Sequence, residues 1–175
     1  MRRTARLLPA VLLLTLVGCV PSDPPVTPPP TSADPVFASD EEALAAAEEA
    51  YRAYISAVDD ILASGGVDSG QLDGLVSPEV LAVQEEGFQQ FRDLGWRATG
   101  STILRNFTLQ QFDGESMLVL YVCSDVSDVD VVDAEGVSQV SADRPTTTTF
   151  ESSLAYDGRR FTVETDDPWE GSGVC

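Results

Sequence analysis

Apolar residues fall into three regimes along the chain. From Leu7 to Val17 they are almost continuous, broken only by Pro9 and Thr15. From Leu44 they recur at helical spacing: Leu44, Ala47, Tyr51, Ile55, Val58 and Leu62 predict one long amphipathic helix that Gly65-Gly66 stops. Ser39-Asp40-Glu41-Glu42 supplies a capping box for its start, with three acids at the positive end of the helix dipole. A short turn around Leu72 and Leu75 leads to Ser77-Pro78-Glu79, where Ser77 caps and Pro78 takes the first helical position, at which its missing N–H costs nothing. Leu81, Phe88, Phe91 and Leu94 give the second helix an apolar face, and Gly95 ends it.

After Trp96 the pattern changes to β-branched and aromatic runs. Strands are expected over 102–112, 116–126, 127–132, 137–140, 146–156 and 161–165, separated by the turn sequences Asp113-Gly114, Asp133-Ala134-Glu135-Gly136 and Asp157-Gly158. Helices first and hairpins afterwards is the α+β order, with helices on one face of an antiparallel sheet.

The N-terminal apolar run spans 11 residues, too few for a membrane-crossing helix, which takes about 20. Preceded by Arg2, Arg3 and Arg6, it reads as a signal peptide over 1–18. Leu16-Val17-Gly18-Cys19 resembles the bacterial lipobox, which implies a lipid on Cys19 and a protein held at the extracytoplasmic face of the cell membrane. Several acyl chains, at about 0.8 kcal/mol per buried methylene, anchor where one is marginal. Residues 19–38 then form a tether: seven of the chain's eleven prolines lie there, from Pro21 to Pro35. In polyproline II geometry it spans about 50 Å. Residues 39–175 suffice for one domain with its own core.

Composition narrows the chemistry. Asp and Glu number 29 against 10 basic residues, all of them Arg, and His is absent, for a net charge of −19. Loss of residues 1–18 removes three arginines and no acid, so the excess deepens to 22. Such a surface repels polyanions and excludes a nucleic-acid partner. Histidine catalysis, histidine metal sites and Schiff-base lysines are closed as well. The run Asp125, Asp128, Asp130, Asp133, Glu135 lacks the spacing of a calcium loop and reads as a strand face and a turn. No P-loop, GxSxG, CxxC or HExxH pattern occurs, and no cofactor or metal is indicated.

With Cys19 assigned to lipid, Cys123 and Cys175 remain, and an even remainder in an exported protein argues for one disulfide. Two free thiols or a metal pair are the alternatives.

A long helix, a short helix, a helix ending in Gly95-Trp96-Arg97-Ala98-Thr99-Gly100, and a meander containing Leu120-Tyr121-Val122-Cys123-Ser124-Asp125-Val126-Ser127 resemble the nuclear transport factor 2-like cone fold. The closing Trp-Glu-Gly and terminal Cys are similar to those of secreted actinobacterial lipoproteins of that superfamily. The resemblance implies a strongly bent antiparallel sheet under the helices, with a pocket lined by Tyr51, Tyr54 or Trp96. Enzymes of that superfamily include isomerases and dehydratases with an Asp or His base, but no Asp or Tyr here matches their catalytic patterns. The expected role is therefore a binding or interaction module for a protein or small molecule. A structural envelope component, or an enzyme with an Asp base, are the alternatives.

Overall fold

The computed structural model describes residues 36–175; the expected signal peptide, Cys19 and most of the expected tether lie outside the described residues. The two helices start and stop where the caps place them. α1 spans Asp40–Ala63, with the Ser39 hydroxyl accepting from the Glu42 N–H. The Glu42 carboxylate reaches back one residue further than a capping box requires, to the Ala38 N–H at 2.8 Å. α2 spans Pro78–Leu94 and ends on Gly95 at φ +67°, a left-handed conformation that glycine adopts without strain.

The buried stripe of α1 is rotated about one position from its largest apolar residues. Ala43, Ala47, Tyr51, Tyr54, Ala57 and Ile61 are buried, while Leu44, Ile55, Val58 and Leu62 flank them half-buried. Alanines at the contact let α1 approach the sheet closely. Just before its cap, Phe37 stacks on Phe161, with ring centroids 5.6 Å apart, and tilts against Tyr156 at 4.9 Å. The domain thus begins two residues after Pro35.

Six strands follow: β1 (Arg97–Thr99), β2 (Ile103–Phe112), β3 (Met117–Asp125), β4 (Asp130–Val132), β5 (Thr147–Tyr156) and β6 (Phe161–Pro168). The fold is α+β, with two helices and two antiparallel sheets. The larger sheet has the order β2-β3-β5-β6, and β1 pairs with β4 in a separate ribbon with Ala98 opposite Val131. Its inner face is built by alternation: Leu118, Leu120 and Val122 of β3, Ser152 and Leu154 of β5, and Phe161 and Val163 of β6 are all buried against α1.

The cone is not found. The strands do not form one strongly bent meander, and the larger sheet neither curls strongly nor closes. The chain leaves that sheet after Asp125, and the acidic stretch that follows pairs with β1 instead of adding a strand to the larger sheet. Val137–Val140 forms no strand, only the bridge between Ser138 and Val132. There Asp133 closes the turn, its carboxylate accepting from the N–H groups of Glu135 and Val137.

Two devices finish the sheet. The segment before α2 runs beside the free edge of β6: Val163 N–H donates to Leu75 O at 2.9 Å and Ser77 N–H to Val163 O at 2.8 Å, so that edge is covered. On the outer face lies the C-terminal segment. Cys175 is disulfide-bonded to Cys123, Trp169 stacks on Tyr121 with centroids 4.3 Å apart, and the Asn106 amide donates to Val174 O at 2.7 Å. Asn106 sits at φ +55° where β2 shifts register, which turns its side chain to that segment.

Candidate functional site

The first members of the site come from helical spacing. Tyr51 and Tyr54 lie three residues apart on one face of α1, so their rings meet edge to face with centroids 5.7 Å apart. Both are about 1% exposed. A phenol buried so deeply needs a partner for its hydroxyl, and here both find the same one. Tyr51 donates to one carboxylate oxygen of Asp166 at 2.9 Å and Tyr54 to the other at 3.3 Å. From α2, the Gln84 amide donates to the Tyr54 oxygen at 2.7 Å.

Asp166 reaches this position through a bulge. Val163 pairs with Leu154 and Thr165 with Ser153, so Glu164 is an extra residue on β6. Strict alternation from Phe161 and Val163 would send Thr165 inward and Asp166 out. The extra residue inverts that parity and sets Asp166 opposite the fully buried Ser152, facing α1. The Ser77 hydroxyl, which caps α2, also lies 3.4 Å from Glu164 O, so the bulge is held by the start of the second helix.

The electrostatics follow from burial. The Asp166 carboxyl is pushed up to about 6, chiefly by desolvation and slightly by the neighbouring charge of Asp167, against the two phenol hydrogen bonds that favour its charged form. Burial, and then the charge of Asp166, hold both phenols well above their ordinary range, so they stay protonated and act as donors to the carboxylate.

The cluster forms part of the wall of a cavity of about 330 Å³ bounded by α1, the larger sheet and the ribbon. Most of its lining is apolar, including Ile55, Val58, Leu62, Val129, Val131 and Phe150. Two further charged groups border it and are already engaged. Asp59 accepts from the Thr102 N–H and hydroxyl at 2.8 and 2.9 Å, and Arg144 donates to the carbonyls of Val126 and Val129 at 2.9 and 2.7 Å. A mostly apolar chamber with a few convergent polar groups and one carboxyl titrating near neutrality is the usual constitution of a small-molecule site.

Of the residues singled out in the sequence, Tyr51 and Tyr54 line this cavity and Trp96 does not. Trp96 sits at the corner between α2 and β1, edge-on to Phe91 with centroids 6.0 Å apart. Cys19 lies outside the described residues, and Cys123 and Cys175 are on the far face of the sheet. Sequence reasoning missed Asp166 and Gln84: the strand was ended at Thr165, and nothing local distinguishes Asp166 from Asp167. No group of three or more acids or cysteines is placed to hold a metal among the described residues, and no helix among them is long and apolar enough to cross a membrane.

Fold and cavity define a small two-sheet α+β domain with a partly open cavity under α1. No family model matches the chain, and no curated protein matches it. Among solved structures, it is similar to the intermembrane-space region of the chloroplast protein ARC6, at 10% identity and a TM-score of 0.49, over 70% of this chain and 92% of that one. A de novo designed β-sheet protein matches at 13% identity and a TM-score of 0.34, over 71% of this chain and 88% of the design. With two separate sheets, no strongly curled cone and no matching family, the resemblance to nuclear transport factor 2-like lipoproteins of actinobacteria is not upheld.

Proposed function

We propose that the folded domain is the ligand-binding head of an exported protein held at the outer face of the cell membrane through a lipid on Cys19. The observation that carries the binding role is the cavity under α1, where the half-buried carboxylate of Asp166 accepts from two buried phenols on a mostly apolar wall. Both phenols give their protons to that carboxylate, so its remaining lone pairs are the polar feature the cavity presents to a ligand. The anchoring part rests on Arg2, Arg3 and Arg6, the apolar run and Leu16-Val17-Gly18-Cys19, with the proline-rich tether as spacer.

A fluorinated-fragment screen by ¹⁹F NMR tests the head. Fragments should bind the wild-type protein and lose binding in Val131→Trp, whose indole fills the chamber. A screen in which no fragment distinguishes the two proteins overturns the reading. For the anchor, Cys19→Ala should release the protein from the membrane fraction into the medium; full retention there removes the lipid from the proposal.

The placement of a carboxylate on the wall of a mostly apolar cavity, where desolvation raises it to about 6, favours a second reading, an enzyme in which Asp166 takes a proton from the bound molecule. Mass spectrometry of a bound fragment before and after incubation separates the two, since a binding head returns it unchanged.

A further inference from the structure

We infer that the molecule this chamber takes is an organic amine, an apolar body whose single ammonium group docks on Asp166 between Tyr51 and Tyr54. The inference rests on the binding-head reading and adds the chemical class of the ligand.

The hydrogen-bond inventory comes first. Each phenol donates its only proton to Asp166, and the Tyr54 oxygen already accepts from Gln84. What the carboxylate and phenols still offer is lone pairs. A ligand group meeting them has to donate, which disfavours a carboxylate, a phosphate or an ether oxygen.

Charge narrows the donor. Asp59, Asp166 and Arg144 are the charged side chains on the chamber, a net excess of one negative charge. Asp59 accepts from Thr102, and one guanidinium nitrogen of Arg144 donates to two carbonyls of the segment between β3 and β4; neither charge is among those that shift the Asp166 carboxyl. The charge acting on Asp166 is that of Asp167, of its own sign. A protonated amine supplies the missing counter-charge, and the faces of the two tyrosines add a cation–π attraction that a neutral hydroxyl does not gain.

The surface beside Asp166 is polarised in the same sense. A cleft of about 200 Å³ shares Asp166 and Gln84 with the chamber and is bordered by Glu79, Glu164 and Asp167, with no basic side chain on its wall. Such a cleft concentrates cations and repels anions. A bare metal ion does not fit, since no three of these acids converge on one point among the described residues. The chamber's aliphatic and aromatic wall calls instead for an apolar body, and about 330 Å³ lies at the small end of ligand pockets.

Three indoles carrying different end groups on the same two-carbon arm test this by calorimetry on the full folded domain with its disulfide intact: tryptamine, tryptophol and indole-3-propionate. Tryptamine should bind about tenfold to hundredfold more tightly than tryptophol, the range expected for a charge-assisted hydrogen bond, and indole-3-propionate should not bind measurably. Asp166→Asn should bring tryptamine down to the level of tryptophol while leaving tryptophol unchanged. A second variant leaves the Asp166 cluster intact: Glu79→Gln combined with Asp167→Asn should slow tryptamine association and flatten its dependence on ionic strength. Equal affinities for amine and alcohol, tighter binding of the acid, or a preference that survives Asp166→Asn overturns the inference. If none of the indoles binds while the fragment screen gives chamber-dependent hits, the amine assignment fails and the binding head stands; if both are blank, both fail.

Discussion

Asp166→Asn keeps the shape of the buried cluster and removes its charge, and its effect on stability should depend on pH in a defined direction. The folded protein holds this carboxyl at about 6, against 3.8 when free. Folding therefore favours the protonated form, and as pH rises from about 4 through 6 the wild-type protein loses stability that it does not recover at higher pH. At about 1.4 kcal/mol for each tenfold change, the full difference corresponds to at most about 3 kcal/mol. Asp166 is not completely buried, and screening reduces this to about 1–2 kcal/mol. Asparagine lacks the titration, while its carbonyl can still accept from Tyr51. Asp113, Asp125 and Asp157, held below the usual carboxylate range chiefly by hydrogen bonds from neighbouring residues, titrate alike in both proteins and cancel. Urea unfolding of both proteins at pH 4 and pH 7.5 measures the effect. The stability of the variant relative to wild type should rise by about 1–2 kcal/mol between the two pH values, equivalent to roughly 3–6 °C in Tm. A relative stability that is flat with pH, or that falls, refutes the placement of an ionisable Asp166 in a desolvating site.

Three other outcomes follow from the packing. Reducing the Cys123–Cys175 bond, which closes a loop of sequence separation 52, should cost up to about 4 kcal/mol and shift Trp169 fluorescence as its stack on Tyr121 loosens; unchanged urea midpoints with and without reductant would contradict this. Gly100→Ala places a methyl group into the backbone carbonyl of Asp128 at φ +79° and should destabilise by about 2–4 kcal/mol, read by thermal melting; a change under about 0.5 kcal/mol argues against that close approach. Ser77→Ala removes the cap of α2 and the contact with Glu164 O together, and a loss of about 1–2 kcal/mol in chemical denaturation is expected; no loss would separate the cap from the bulge.

Helix ends were legible because each is written in a few adjacent residues: Ser39 and Ser77 as caps, Pro78 inside the first turn, Gly65-Gly66 and Gly95 as stops. The strand-rich half was legible in its hairpins, whose Asp-Gly turns are equally local. Sheet architecture was not. Whether the stretch after Asp125 extends the sheet or folds back depends on Ala98, Val131 and Val132 meeting across more than 30 residues, and three-residue strands such as β1 carry no periodicity to detect. Half of the site was visible for the same local reason: Tyr51 and Tyr54 share a helix face. Asp166 was hidden because a single extra residue, Glu164, reverses which side of the strand it occupies, and bulges leave no mark in hydrophobic alternation. Trp96 misled because an aromatic beside a helix stop looks available for a pocket, whereas Phe91 one turn earlier takes its ring.

The separation of the two sheets has a consequence for motion. No strand pairing joins the ribbon to the larger sheet, so one wall of the chamber can loosen without breaking any β2-β3-β5-β6 ladder. What ties it down is the packing of β1 on α1, the Asp59 carboxylate on Thr102 just beyond β1, and the Arg144 guanidinium on the carbonyls of Val126 and Val129. Local opening of such a segment costs less than global unfolding. Amides of β4 should therefore exchange with solvent ahead of those in β3, and an occupant of the chamber should slow them. The molecule would then behave as a rigid slab carrying a spring-loaded door, and the rate at which that door opens would set how fast anything inside is exchanged.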